Sequence, residues 1–234
     1  LKMKEIVSEN LLNKFVSKYD LDQIFDKTVF SEMKLFQLDS GEILCRSGEI
    51  LDRLFILVEG KFKISISLPN GKSLLLRFNN PLALIGDVEF INHSEVRSNV
   101  EAVNRSLVIG ISNRILHETL SSNSAFLKFL LKNVSYKLYT FSNFSSINLL
   151  FPVENRFASY LVSTLLADDA SSFANEIKTS KLTEIAELLG TSYRHLNRVV
   201  NKFSSENIIE RKNGSLHVKD VKKLKSLAKG SIYE

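Results

Sequence analysis

TEIAELLGTSYRHLNRVVNKF, residues 183–203, reads as two short helices joined by a tight turn. Ile185, Ala186, Leu188 and Leu189 place an apolar stripe on the first helix at helical spacing. Gly190 then signals the helix end, since glycine takes a left-handed backbone without a side-chain clash. Ser192 is a ready N-cap for the second helix. On that helix Leu196, Val199, Val200 and Phe203 are predicted to face inward, which leaves Tyr193, Arg194, Asn197, Arg198 and Lys202 outside. A helix buried on one side and offering Arg, Asn and Lys on the other suits the major groove of double-stranded DNA. There, guanidinium groups pair with guanine edges and amides with adenine edges.

The next stretch, IIERKNGSLHV (residues 208–218), carries two short strand-like runs around Asn213-Gly214, a strong hairpin signal. A hairpin directly after a helix-turn-helix forms a wing, and Arg211 and Lys212 sit where a phosphate contact is useful. Charge follows the same division. Residues 173–229 hold 12 Lys/Arg against 6 Asp/Glu, while the whole chain holds 31 against 26. The basic excess therefore lies in the segment with the DNA-binding pattern.

Upstream, Leu127, Leu131, Val134, Leu138 and Phe141 step by four, three, four and three residues, a heptad seam continued by Ser145 and Asn148. Phe126, Phe129, Leu130 and Phe144 supply a second apolar face for packing on the chain's own core. Pro152 ends this helix, and Asn155 and Arg156 are expected to open the next. Between residues 35 and 111, short runs (EILCR, RLFILVEG, KFKISISL, SLLLRF, SLVIGI) alternate with Gly41, Gly48, Gly60 and Asn70-Gly71. Regular short strands with glycine turns predict an antiparallel barrel or sandwich, with a hairpin at Asn70-Gly71. Residues 4–27 read as one or two amphipathic helices packed onto it.

At 234 residues two domains or one large one are expected, and 44% hydrophobic content is enough for real cores. No apolar run approaches a membrane span, so no membrane partner is expected. The opening LKMKEIVSENLLNKF does not read as a signal peptide, and the expected compartment is the cytoplasm. The single cysteine, Cys45, excludes an internal disulfide and a multi-cysteine cluster. It lies in an expected strand, where a packed role outweighs redox sensing. The histidines are isolated, so no haem, metal or other cofactor is expected. No Gly-x-Ser-x-Gly, P-loop or His-Glu-x-x-His pattern points to an enzyme.

These residues carry a family likeness. Residues 183–218 resemble the winged helix-turn-helix of the Crp/Fnr family of bacterial transcription regulators. LFQLDSGEILCRSGEILDRLFILVEGKFKI (residues 35–64) resembles the opening of the family's cyclic-nucleotide-binding β-roll, with Gly41, Gly48 and Gly60 in the pattern. SYRHL, FPVENR and LIGD look closest to the YeiL-type branch. The resemblance implies an α+β chain in three parts. Residues 1–112 hold N-terminal helices and an antiparallel β-roll of the jelly-roll, double-stranded β-helix type. Residues 113–150 supply the dimerisation helix of a homodimer, and 151–234 the winged helix-turn-helix. It also implies RNA polymerase as a further partner.

Nucleotide-binding members of the family use a Gly-Glu, short helix, Arg-Ser/Thr-Ala cassette for ribose and cyclic phosphate. Here Gly86-Asp87 and Arg97-Ser98 stand in those positions, within LIGDVEFINHSEVRSNVEAV (residues 84–103). The departures are chemical. Asp87 is a methylene shorter than glutamate, Asn99 replaces alanine, and Arg97 is one residue nearer the strand valine, Val100. Strand side chains alternate, so that slip can turn Arg97 out of the pocket. The reading is therefore a DNA-binding regulator with an unknown small-molecule effector that is not cAMP. The Arg-Glu-x-x-x-Arg reading triad of the family is Tyr193-Arg194 with Arg198 here, so a different DNA site is expected. The alternative is a small-molecule sensor acting mainly through ligand or protein binding.

Overall fold

A computed structural model of the chain describes residues 3–68, 73–120, 123–165, 177–178, 181–229 and 233. They belong to two compact units, Leu1–Ile64 with Asn79–Tyr139 and Ser65–Phe78 with Thr140–Glu234. The expected turn at Asn70-Gly71 lies outside the described residues.

The N-terminal elements are β1 (Lys4–Ile6), α1 (Glu9–Lys18), a 3-10 turn and α2 (Lys27–Ser31). Ser8 caps α1 by accepting the Leu11 N–H at 3.3 Å, and Asp26 caps α2 by accepting that of Val29 at 3.0 Å. β1 was not expected from the sequence, being only three residues long; it pairs antiparallel with β2 (Lys34–Leu38), Glu5 opposite Phe36. There follow β3 (Ile43–Cys45), β4 (Arg53–Glu59), β5 (Phe62–Ser67), β6 (Ser73–Asn79), β7 (Leu84–Ile85), α3 (Asp87–Asn92), β8 (Asn99–Ala102) and β9 (Ser106–Ser112). The strands form two sheets, β1-β2-β9-β4-β7 and β3-β8-β5-β6, the jelly-roll arrangement.

Strand alternation sorts the core of the first unit. Leu54, Ile56 and Val58 of β4 and Leu107, Ile109 and Ile111 of β9 share one hydrophobic cluster with Phe15, Phe126 and Leu130 from the helices. On the opposite face Phe36 and Phe55 meet edge-to-face, ring centroids 6.2 Å apart. Gly110 lies beneath these rings, where an added Cβ would come within 2.9 Å of Phe36. Gly60 is required by close approach as well as by its φ of +92°, because a Cβ there would sit 2.6 Å from the Arg105 carbonyl oxygen.

Two helices then replace the single expected helical stretch, α4 (Asn113–Leu120) and α5 (Ser124–Leu150). Asn123 begins α5 by accepting the N–H groups of Ala125 and Phe126 at 2.9 and 3.1 Å. α6 (Val153–Thr164) starts directly after Pro152, two residues before the expected Asn155. Proline suits that place because the first helical turn leaves its N–H groups without an intrahelical acceptor.

The second unit continues with β10 (Ile177–Lys178), α7 (Leu182–Leu188), α8 (Tyr193–Ser205), β11 (Ile209–Lys212), β12 (Ser215–Val218) and α9 (Val221–Ala228). Its core stacks Phe157 of α6 on Phe203 of α8 at 5.8 Å. Asn155 donates to the Leu227 carbonyl at 2.7 Å, which fixes α6 to α9. β6 is part of this unit. Phe78 packs its ring 5.7 Å from that of Tyr160 and donates its N–H to the Tyr233 carbonyl at 2.5 Å. Among the described residues no helix is long and apolar enough to cross a membrane.

Candidate nucleic-acid interface and effector cassette

The α7–α8 pair is built by complementary ends. At the end of α7 the Thr191 N–H reaches back to the Ala186 carbonyl at 2.9 Å, while Arg156 of α6 donates to the Leu189 carbonyl at 2.5 Å. Orphan carbonyls at the helix C-terminus thus find partners. Ser192 has an extended backbone, and its Oγ accepts the His195 N–H at 3.2 Å, which starts α8. Leu196, Val199, Val200 and Phe203 are all buried. The chain is thereby committed to presenting the other side of α8.

That side carries exposed Tyr193, Arg194, Arg198 and Lys202, with Ser192 exposed at its head and Asn197 half-buried at its edge. Asn201 extends the exposed stripe of Arg194 and Arg198 by a further turn. It was not among the expected contacts, although its spacing of seven from Arg194 and three from Arg198 would have found it. Two of the expected phosphate contacts already have partners. Lys202 meets both carboxylate oxygens of Glu154, at 2.8 and 2.9 Å, and that hydrogen bonding raises its pKa above the usual lysine value. Arg211 donates to Asn197 Oδ1, which ties β11 to the middle of α8. Lys212 is exposed, at the head of the turn into β12. That turn is the expected one, with Asn213 and Gly214 at φ of +51° and +75°. β10 adds a third strand to the wing, in the order β10-β12-β11.

The expected effector residues meet different fates. Gly86 introduces α3, and Asp87 is fully buried at the first position of that helix. One carboxylate oxygen is paired with the Lys137 ammonium of α5, whose side chain is only 15% exposed; the other has no hydrogen-bond partner among the described residues. Arg97 is exposed and Ser98 half-buried, in the segment that leads into β8. The structure thus does not enclose Asp87 and Arg97 together. Lys137 was missed from the sequence, although it is the one charged residue between Asn133 and Val153.

Along α5 the heptad positions Leu127, Leu131, Leu138 and Phe141 are exposed and Val134 is half-buried, whereas Phe126, Leu130 and Phe144 are buried. Ser145 and Asn148 donate to the Phe141 and Phe144 carbonyls, each at 3.0 Å. The helix therefore shows one apolar face covered within the chain and one left open. Cys45 in β3 is 1% exposed, and burial pushes its thiol up to about 12. Among the described residues no three His, Cys, Asp or Glu side chains come together as a metal site.

Comparison with known proteins gives two family matches. Residues 35–123 match the cyclic nucleotide-binding domain, and residues 155–227 the Crp-like helix-turn-helix domain. The regulatory protein YeiL of Escherichia coli O157:H7 is 26% identical over 200 residues, covering 86% of this chain and 88% of that protein. The CRP-like cAMP-activated global transcriptional regulator of Mycobacterium tuberculosis is 23% identical, over 79% of this chain and 83% of that one. Among solved structures, a CRP-family transcriptional regulator from Thermus thermophilus shares the fold, with a TM-score of 0.68 and 20% identity. The match covers 85% of this chain and 98% of that one.

Proposed function

The chain belongs to the Crp/Fnr family of transcription regulators, and from that premise we propose that two copies of it read a roughly palindromic DNA site without cAMP as effector. The observation that carries the DNA reading is α8, whose inward face is closed by Leu196, Val199, Val200 and Phe203 while Tyr193, Arg194 and Arg198 stand open beside a basic wing. Tyr193, Arg194 and Arg198 contact base edges. Ser192 and Lys212 contact the phosphate backbone, and Lys202, Asn197 and Arg211 join them by exchanging their present partners for phosphate or base. Two α8 helices enter successive major grooves about 34 Å apart.

The open seam of α5 supports the homodimer. Leu127, Leu131, Val134, Leu138 and Phe141 form the interface, so that residues 113–150 serve dimerisation, between a sensor part (1–112) and a DNA-binding part (151–234). The sensor part keeps the cyclic-nucleotide-binding fold, but the carboxylate in the ribose-binding position is withdrawn into a pair within the chain. Asp87 is neutralised by Lys137, and Arg97 lies in solvent. RNA polymerase is the partner through which a DNA-bound dimer would act, in the cytoplasm.

Selection of bound sequences from random DNA by the purified chain, with no added ligand, tests this reading. A palindromic winner whose binding falls steeply with salt is expected, because phosphate contacts release counterions. Enrichment of nothing without ligand, followed by enrichment with cAMP, would overturn the effector part. Enrichment of nothing under either condition would overturn the DNA reading.

A further inference from the structure

A cavity of about 670 Å³ lies in the first unit, between the turn that follows β6 and the flank of α5 opposite its open seam. None of Gly86, Asp87, Arg97 and Ser98 lines it, so it is separate from the effector cassette. Its size is in the range of small-molecule sites, roughly 300–1,000 Å³.

The lining has a specific chemistry. Three aromatic residues line the space, Tyr19, Phe129 and Tyr136. Two of them are held in place, Tyr19 by donating its hydroxyl to the Val58 carbonyl at 2.8 Å and Phe129 edge-on to Phe25 at 6.4 Å. Both walls are joined as well, since the Leu84 N–H donates to Asn133 Oδ1 of α5 at 3.2 Å. Two lysines, Lys132 and Lys137, line the cavity, and no Asp or Glu does. Lys137 is already neutralised by Asp87 behind it. Lys132 has no acidic partner among the described residues. A prebuilt space with fixed rings, an unanswered cation at its edge and no carboxylate favours a flat apolar body with one anionic group.

We propose that this cavity is a binding site for a small aromatic anion, a ring carrying a carboxylate or phosphate, with the ring among Tyr19, Phe129 and Tyr136 and the anionic group on Lys132. The inference goes beyond DNA recognition and does not depend on it.

The chain contains no Trp, so an indole probe is read without background. Fluorescence anisotropy of indole-3-acetate, titrated with the whole chain, is expected to rise saturably. Phenylacetate and phenyl phosphate should compete, and the better competitor tells carboxylate from phosphate; benzyl alcohol, which lacks the charge, should not. Lys132→Gln is expected to weaken the probe at least tenfold and Lys132→Arg to restore most of it. Ala83→Phe, which fills the space, should abolish binding. No saturable signal, equal affinity in Lys132→Gln and Ala83→Phe, or equal competition by benzyl alcohol would overturn the proposal. Because the readout is direct binding, its failure is distinguishable from failure of DNA recognition.

Discussion

The outer face of α8 and the interior of the β-roll hold ionisable groups under opposite conditions. On α8, Arg194 and Arg198 keep their guanidinium groups in water, and the helix spends its apolar residues on the other side. In the roll, Asp87 and Cys45 are withdrawn from water, and Asp87 is matched by a lysine from a helix fifty positions along the chain. An exposed cation costs little to leave unmatched and remains available to a polyanion. A buried carboxylate must be matched from within, and once matched it has little left to offer a ligand. The contrast separates the region that still requires a partner molecule from the one that has largely satisfied itself.

Reactivity probes the closed side most sharply. With its thiol buried and pushed from 9.0 up to about 12, Cys45 holds far less thiolate near pH 8 than an ordinary cysteine, so native-state alkylation followed by mass spectrometry should be slowed by about two orders of magnitude or more. A raised folded-state pKa leaves stability intact below the unfolded value near 9 and erodes it as pH climbs from there toward 12. Alkylation at the rate of a free thiol would break the comparison.

Next in size is Lys137→Met, which strands the buried Asp87 carboxylate. Urea unfolding should show a loss of about 3–5 kcal/mol, with much of it regained in the Asp87→Asn, Lys137→Met double variant. An unchanged midpoint would mean that the pair contributes nothing. On the open side, Arg198→Ala should cost about 1–3 kcal/mol in DNA affinity and relax one position of the selected site, with folding unaffected. Equal weakening on every sequence would reduce it to a phosphate contact. The smallest effect belongs to Ser192→Ala, about 1 kcal/mol of thermal stability through loss of the cap on the His195 N–H.

Much of this was legible in the residues. The apolar stripe Leu196, Val199, Val200, Phe203 and the Asn213-Gly214 turn are local signals, and a helix or a tight hairpin answers to local sequence. An antiparallel barrel or sandwich was readable from spaced glycines and short strands, and the jelly roll followed only from the family resemblance. What escaped depends on contacts distant in sequence. The Asp87–Lys137 pair joins two elements with no shared period, and the Arg211–Asn197 bond joins wing to helix across fourteen positions. β1 escaped because three residues carry too little pattern to be told from a loop. Nor does a cavity announce itself in sequence, since Tyr19, Asn80 and Lys132 become neighbours only through the fold.

The strand residue Phe78, with its backbone bond to Tyr233 and its ring beside Tyr160, makes the second unit discontinuous along the chain. Its assembly order is set accordingly. During synthesis Phe78 emerges early but cannot be paired until Tyr233 has left the ribosome, a closure across about 150 positions. Contacts of such long sequence separation form late and slow folding. A fragment beginning near residue 140 would lack Phe78, and with it the ring beside Tyr160 and the donor to the Tyr233 carbonyl.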